Sequence, residues 1–324
     1  MRFILRLILP FALASLIAAG GDDAHAWSMG GHRVTGVMAA RDLAVTSPQT
    51  IATIVALMQS HPAAADFNAR MRDAGAAPSA QTERLFAEMA QWPDEIRRGP
   101  FREFHRGEWH TVEIPYAVAG YTINTEPKRI DENLLWAWRE NTRIAADPAA
   151  DPAARAVALC WVFHLVDDLQ QPLHAISLFS AAFPAGDRYG SLFWVRPPAG
   201  DETVSLHYFW DSAVQRTQNM SEVMRAAGHL LESRPRTALV ELRERPYAGE
   251  FSFERWARDE SHPLAITAAY QNGTLPGAAE KALAPRLSEA YAADAHALAA
   301  RRMALAAYRL ADVLRAVFPA QRTP

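Results

Sequence analysis

One cysteine in 324 residues constrains this chain more than any other single feature. With Cys160 alone, no intrachain disulfide is possible, and the fold has to be held by its apolar core and by whatever polar or metal-centred contacts it builds. Half of the residues are hydrophobic, enough for one large core. Cys160 itself lies in an apolar helical stretch and reads as a small packed residue. The formal net charge is -3, so no overall basic surface advertises nucleic-acid binding. Any phosphate chemistry must rest on local groups or on bound cations.

The first 26 residues differ from the rest. Arg2 and Arg6 give a basic start, Leu7 to Ala19 is an apolar run, and Ala24-His25-Ala26 fits the small-x-small pattern of a signal peptidase site. The run is too short for the roughly 20 residues a membrane span needs. Residues 1–26 are therefore expected to be a cleaved signal peptide, leaving one domain over 27–324. The protein is expected to be exported, periplasmic or secreted, without stable membrane association and as a monomer.

From Trp27 onward the pattern is mainly helical. Ser47-Pro48 reads as a cap and first helical residue, followed by Ile51, Ile54, Val55 and Met58 at helical spacing. Glu132 to Ala145, Ala153 to Leu169, Phe251 to Tyr270 and Ala278 to Phe318 also read as helices, the last with a bend. Phe193-Trp194-Val195, a Pro-Pro-Ala-Gly-Asp turn at 197–201 and Thr203-Val204-Ser205 predict a β-hairpin inserted among them.

The densest chemistry runs from His164 to His174. His164 and Asp168 are four apart and share a helix face, while Pro172 disfavours helix at Gln171 and lets His174 turn back toward them. A second pair, His207 and Asp211, has the same spacing among Leu206, Phe209 and Trp210. Carboxylates among aromatic residues cost several kcal/mol unless a cation or strong hydrogen bonds compensate. Histidine and carboxylate donors suit zinc. Asp94, in Trp92-Pro93-Asp94, is expected at a helix start, and His110 follows Trp109 in a short apolar run. Cleavage after Ala26 would free the amino group of Trp27, which can chelate a metal through its nitrogen and carbonyl oxygen, with His32 within reach across Gly30-Gly31.

These segments, in this order, resemble the trinuclear-zinc single-strand nucleases, the S-one/P-one nuclease family. The resemblance rests on Trp27 with His32, Trp92-Pro93-Asp94, Trp109-His110, His164-x3-Asp168-x5-His174, Leu206-His207-x3-Asp211 and the segment Trp256 to Ser261. It implies a mostly α, single-domain fold of the phospholipase C/nuclease type with a small β-hairpin. It also implies three zinc ions per chain. Asp94, His110, His164 and Asp168 would hold one, and His174, His207 and Asp211 a second. The third would take Trp27, His32 and a bridging Asp168. The implied reaction is hydrolysis of single-stranded DNA and RNA, with 3′-nucleotidase activity, giving 5′-phosphate products. Asp94 would orient the nucleophile and Arg97 would hold a phosphate oxygen. Thr111 stands where the family commonly has an aromatic residue that stacks on the base, Tyr189-Gly190-Ser191 where it often has Gly-Gly-Asn, and Ser205 where an asparagine often precedes Leu-His. Tyr189, Phe193 and Tyr208 are the aromatic residues nearest these departures. The nearest alternative is a zinc phospholipase C acting on phospholipid head groups. The five-residue step from Trp27 to His32, and Asp211 where that family favours glutamate, speak against it. A non-catalytic zinc-binding protein would lack a ligand or Arg97, and none is missing.

Overall fold

The computed structural model describes residues 27–125 and 130–319; the expected signal peptide, residues 1–26, lies outside the described residues. The described residues are mostly helical, with two very small sheets among them. In chain order the first helices are α1 (Met29–Thr46), α2 (Pro48–Met58), α3 (Ala64–Asp73) and α4 (Pro78–Glu95). After them come α5 (Leu134–Ala146), α6 (Pro152–Asp168), α7 (Leu206–Asp211) and α8 (Met220–Ser233). The rest are α9 (Val240–Glu244), α10 (Glu250–Trp256), α11 (His262–Leu264) and α12 (Glu289–Val317).

Two helices form the interior, and neither shows an amphipathic stripe because each is covered on all sides. In α1, every residue from Gly30 to Ala40 is buried; in α6, every residue from Ala158 to Asp168 is. Helix α1 packs against α4, α8 and α12, and α6 against α4, α5 and α12. The crossing of α1 and α4 is close enough to require a glycine. A Cβ built on Gly36 would lie 2.4 Å from the carbonyl oxygen of Phe86. Caps follow local chemistry: Asp151 accepts from Ala154 N ahead of α6, with Pro152 at the first helical position.

The hairpin appears as expected, with β3 (Trp194–Val195) antiparallel to β4 (Val204–Ser205). The other sheet pairs β1 (Pro115–Ala117) with β2 (Ser177–Phe179) in parallel, Pro115 opposite Ser177. It draws the segments after His110 and His174 side by side, and Val112 N donates to His174 O across them at 2.8 Å.

Two expectations need correction. The C-terminal helix does not begin near Ala278. It is the single 29-residue α12, capped by Ser288, whose hydroxyl accepts from Tyr291 N. Residues 278–288 instead form bridges to the hairpin and a short 3-10 turn at Lys281–Leu283. Their one proline, Pro285, and their polar residues were masked by the alanine-rich composition. Asp94 lies in the last turn of α4 rather than at a helix start, with Pro93 inside the helix. The helix expected from Phe251 to Tyr270 is real but not regular. Beyond α10 it widens into π turns at Ala257–Ser261 and Ala265–Ala269, on either side of α11. Pro263, which lacks an N–H and crowds the preceding turn, sits between them.

Candidate metal centre

The histidines and aspartates singled out in the sequence converge at one end of the α1, α4 and α6 core. Asp94 comes from the end of α4, His32 from the first turns of α1, and His164 and Asp168 from the last turns of α6. His110 and His174 lie at the ends of short 3-10 turns, His174 one residue before the last, and the parallel sheet follows both; His207 and Asp211 lie one turn apart on α7. All eight are essentially inaccessible, none above 4% exposed.

Three groups have donor atoms close enough to share an ion: Asp94, His110 and His164; His32, His164 and Asp168; and His174, His207 and Asp211. In the first, His164 Nε2 is 2.9 Å from His110 Nδ1, and each is within about 4 Å of Asp94 Oδ1. The two oxygens of Asp168 face different neighbours. Oδ2 lies 3.1 Å from His110 Nδ1 and 3.2 Å from His164 Nε2, whereas Oδ1 lies 3.5 Å from His32 Nε2. In the third group, His207 Nε2 is 3.3 Å and His174 Nε2 3.8 Å from Asp211, with the two rings stacked at 4.9 Å.

His32 Nδ1 lies 2.8 Å from Asp167 Oδ2. Three other histidines are aimed by a hydrogen bond from Nδ1, to Ala90 O for His164, His110 O for His174 and Tyr189 O for His207. Each bond fixes the tautomer and turns the Nε2 lone pair inward, as supporting contacts do around metal-ligating imidazoles. Asp94 Oδ2, Asp168 Oδ1, Asp211 Oδ2, His32 Nε2 and His174 Nε2 have no hydrogen-bond partner although buried. Converging acceptor atoms without donors are costly alone and fit a bound cation. Imidazole and carboxylate donors, with no thiolate, fit zinc.

The electrostatics point the same way. Burial raises the Asp168 carboxyl, but His164, His110 and His174 outweigh it and hold it well below the usual range. Burial also opposes ionisation of Asp94, and His164, His110, Arg97 and His32 overcome it. Burial lowers His164, yet Asp168 and Asp94 push it up to about 9. Burial brings His174 down to about 3 and drives Asp211 well up, Gln171 only partly offsetting the latter. Positive charge is thus wanted among Asp94, Asp168 and their histidines.

Trp27 is fully buried beside this cluster. Its indole Nε1 donates to Asp167 O at 3.0 Å, and the next residue, Ser28, donates from its backbone to Asp211 O. Arg97 pairs with Asp94 Oδ1 at 2.9 Å, its side chain 16% exposed at the mouth of the site. The remaining described histidines stay outside. His61, for example, packs edge-on against Trp92, and His262 and His296 bond backbone carbonyls of Ala175 and Ala213.

Three contributors escaped the sequence reading. Asp167 pairs with His32 at 2.8 Å and accepts from the Thr35 hydroxyl at 3.0 Å. The only sequence hint was a second acid beside Asp168 in an apolar helix. Gln171 Nε2 donates to Asp211 Oδ1 at 2.8 Å, a contact that no spacing rule reveals. Tyr189 acts through its backbone carbonyl, which is independent of its side chain.

Of the aromatic residues near the departures, Phe193 is packed in the hairpin core and Tyr208 is exposed beside Arg216. Tyr189 is partly exposed at φ +62°, next to Arg188 at φ +52°. Two consecutive non-glycine residues with positive φ are strained backbone. Asp187 anchors this turn, accepting from Leu178 N at 2.9 Å and bonding the Tyr270 hydroxyl.

The fold is helical, and its core ends in three adjoining His/Asp clusters, each with donor atoms close enough to hold a metal ion. The chain belongs to the S1/P1 nuclease family, whose description it matches over residues 27–319. It is therefore a nuclease-family hydrolase of phosphodiester bonds. No curated protein matches the chain. Among the described residues, no helix is long and apolar enough to cross a membrane.

Proposed function

We propose that this chain is an exported zinc-dependent phosphodiesterase of single-stranded DNA and RNA, with 3′-nucleotidase activity, which leaves 5′-phosphates. The observation that carries this reading is the sharing of Asp168 between two clusters, one oxygen toward His110 and His164 and the other toward His32. A carboxylate so placed suits two closely spaced cations. Asp94, His110, His164 and Asp168 would hold one zinc, and His174, His207 and Asp211 a second. Trp27, His32 and Asp168 would hold the third, after removal of residues 1–26 frees the amino group of Trp27.

Bound there, zinc supplies positive charge to the phosphate and makes a coordinated water more acidic. The chain's own groups do the rest. Asp94 orients the attacking water, its Oδ1 being held by Arg97. Arg97, one turn further on, offers its guanidinium to a phosphate oxygen and offsets the charge that grows there in the transition state. Tyr189, partly exposed and bonded through its carbonyl to His207, offers an aromatic face for a base. The mature protein would act as a monomer in the periplasm or outside the cell.

The test is a zinc count on the mature, N-terminally verified protein, together with single-stranded DNA hydrolysis with and without chelator. About three zinc ions, chelator-sensitive cleavage and 5′-phosphate ends are expected. Three zinc ions with hydrolysis of phosphatidylcholine alone would move the activity to phospholipid, and one ion or none would overturn the ligand assignment.

A further inference from the structure

The segment Trp256 to Ser261 has no part in the centre itself, yet it meets the same helix from the other side. Helix α6 ends at Asp168, fully buried, and the carbonyls of a helix end lack intrahelical partners. Asp167 O and Asp168 O accept from Gln170 N and Gln171 N, and the next two carbonyls are taken up by a buried polar group. Ser261 Oγ donates to Leu169 O, and Arg302 Nε donates to Gln170 O at 3.0 Å. Arg309 Nη1 donates to the Gln170 side chain at 2.9 Å. Glu260 ties both arginines together, with contacts of 2.8 Å to Arg302 and 2.7 Å to Arg309. Arg302 Nη2 also donates to Ser261 Oγ at 2.8 Å. The Arg309 guanidinium lies over Trp256, 4.2 Å from the ring centroid.

Two features make this more than core filling. Arg302 and Arg309 are 1% exposed, and a buried group of two cations and one anion costs more than apolar side chains of the same volume. The carboxylate and hydroxyl are delivered by the π turn Ala257–Ser261, a local departure from α-helix that brings Glu260 and Ser261 onto the end of α6. The residues so held, Leu169 and Gln170, lie directly between Asp168 and His174. Asp168 serves two clusters and His174 a third, so the spacing of all three depends on this turn.

We propose that Glu260, Ser261, Arg302 and Arg309 are positioning residues of the metal centre, clamping the turn after α6 so that Asp168 and His174 keep their separation. The inference rests on the zinc reading given above and concerns metal binding rather than chemistry.

The test uses the mature protein, stripped of metal and titrated with zinc against a competing chelator, with thermal unfolding recorded without and with zinc. Ser261→Ala removes one hydroxyl and no charge; Arg302→Gln and Glu260→Gln break the ionic group. Ser261→Ala is expected to weaken zinc binding about 10-fold and Arg302→Gln about 10- to 100-fold, the range seen for supporting contacts around metal ligands. The rise in melting temperature on adding zinc should shrink in step. Variants that lower melting equally with and without zinc, and bind zinc as the parent does, would overturn the proposal and leave the group a plain core element. A charge variant that fails to fold is replaced in this test by Ser261→Ala, whose zinc affinity alone decides. A parent protein that takes up no zinc would instead overturn the metal reading itself, so the two failures are distinguishable.

Discussion

Oδ2 of Asp167 lies 2.8 Å from Nδ1 of His32, and neither side chain is exposed. Asp167 and Asp168 are adjacent on α6 and so diverge by about 100° around the helix. One aspartate therefore orients His32 from behind, while the other faces its Nε2 at 3.5 Å. Burial raises the Asp167 carboxyl and the bond from His32 opposes that, so its ionised form depends on this partner. Asp167→Asn keeps the shape but weakens the hold on the imidazole. Zinc affinity of the site containing His32 is expected to fall 10- to 100-fold, read by competition with a chelator. Unchanged affinity would mean that His32 is positioned by packing alone.

Arg97 carries the second prediction. Its guanidinium pairs with Asp94 and stands at the mouth of the site. Removing one preorganised donor to a developing charge typically lowers turnover 10²- to 10³-fold. Arg97→Gln should therefore lose about that much in kcat on single-stranded DNA while zinc content stays at the parent level. Arg97→Lys should recover only part of the loss, because a point charge cannot reproduce the planar fork. A fall in zinc content parallel to the fall in kcat would assign Arg97 to holding Asp94 instead.

How much of this was legible in the sequence depended on whether a residue acts through its side chain at a regular spacing. His164 with Asp168 and His207 with Asp211 declare a shared helix face, and each pair is within 3.3 Å. The turn of His174 could be read from Pro172. The interior position of α1 could not, because a helix buried on every side has no apolar stripe to betray it. The placement of Asp94 at a helix end was hidden by Pro93, which commonly opens helices but here lies within the last turn of α4. The parallel pairing of β1 and β2 spans about 60 residues of chain and joins three-residue strands, too short for any period to register. Tyr189 orients His207 through its carbonyl, and a backbone atom leaves no trace in residue type.

Tyr189 also gives a prediction about substrate. Its ring is partly exposed, while its φ of +62° is strained for tyrosine and ordinary for glycine. Tyr189→Gly keeps the carbonyl that holds His207 and removes the ring together with its hydroxyl, which bonds Thr111. Stacking of a base on an aromatic face is worth roughly 1–3 kcal/mol. The variant is expected to raise KM for an oligonucleotide by about 5- to 150-fold, with little change for the same oligonucleotide carrying an abasic site at the cleavage position. Tyr189→Phe should behave like the parent. Equal losses on both substrates would show that the ring serves the fold and not the base.

Asp187, which anchors the turn carrying Tyr189, sets a pH dependence of stability. Burial raises its carboxyl to about 6, the bonds from Tyr270 and from Leu178 N opposing the rise only partly. The unfolded chain releases this proton near pH 4. Between about pH 4 and 6 the folded state therefore holds a proton that the unfolded state has lost, so this group's contribution to stability falls as pH rises across that window and is constant above it. The shift corresponds to roughly 3 kcal/mol at most. Asp187→Asn presents an amide where the protonated carboxyl has its O–H, and it does not titrate. Comparing urea unfolding of parent and variant from pH 4 to 7 cancels the groups they share, including the zinc ligands. The parent should lose ground to the variant as pH rises to about 6 and then run parallel to it. Parallel curves throughout would mean that Asp187 is ionised at all these pH values and that the Tyr270 hydroxyl and Leu178 N–H suffice to hold a buried carboxylate.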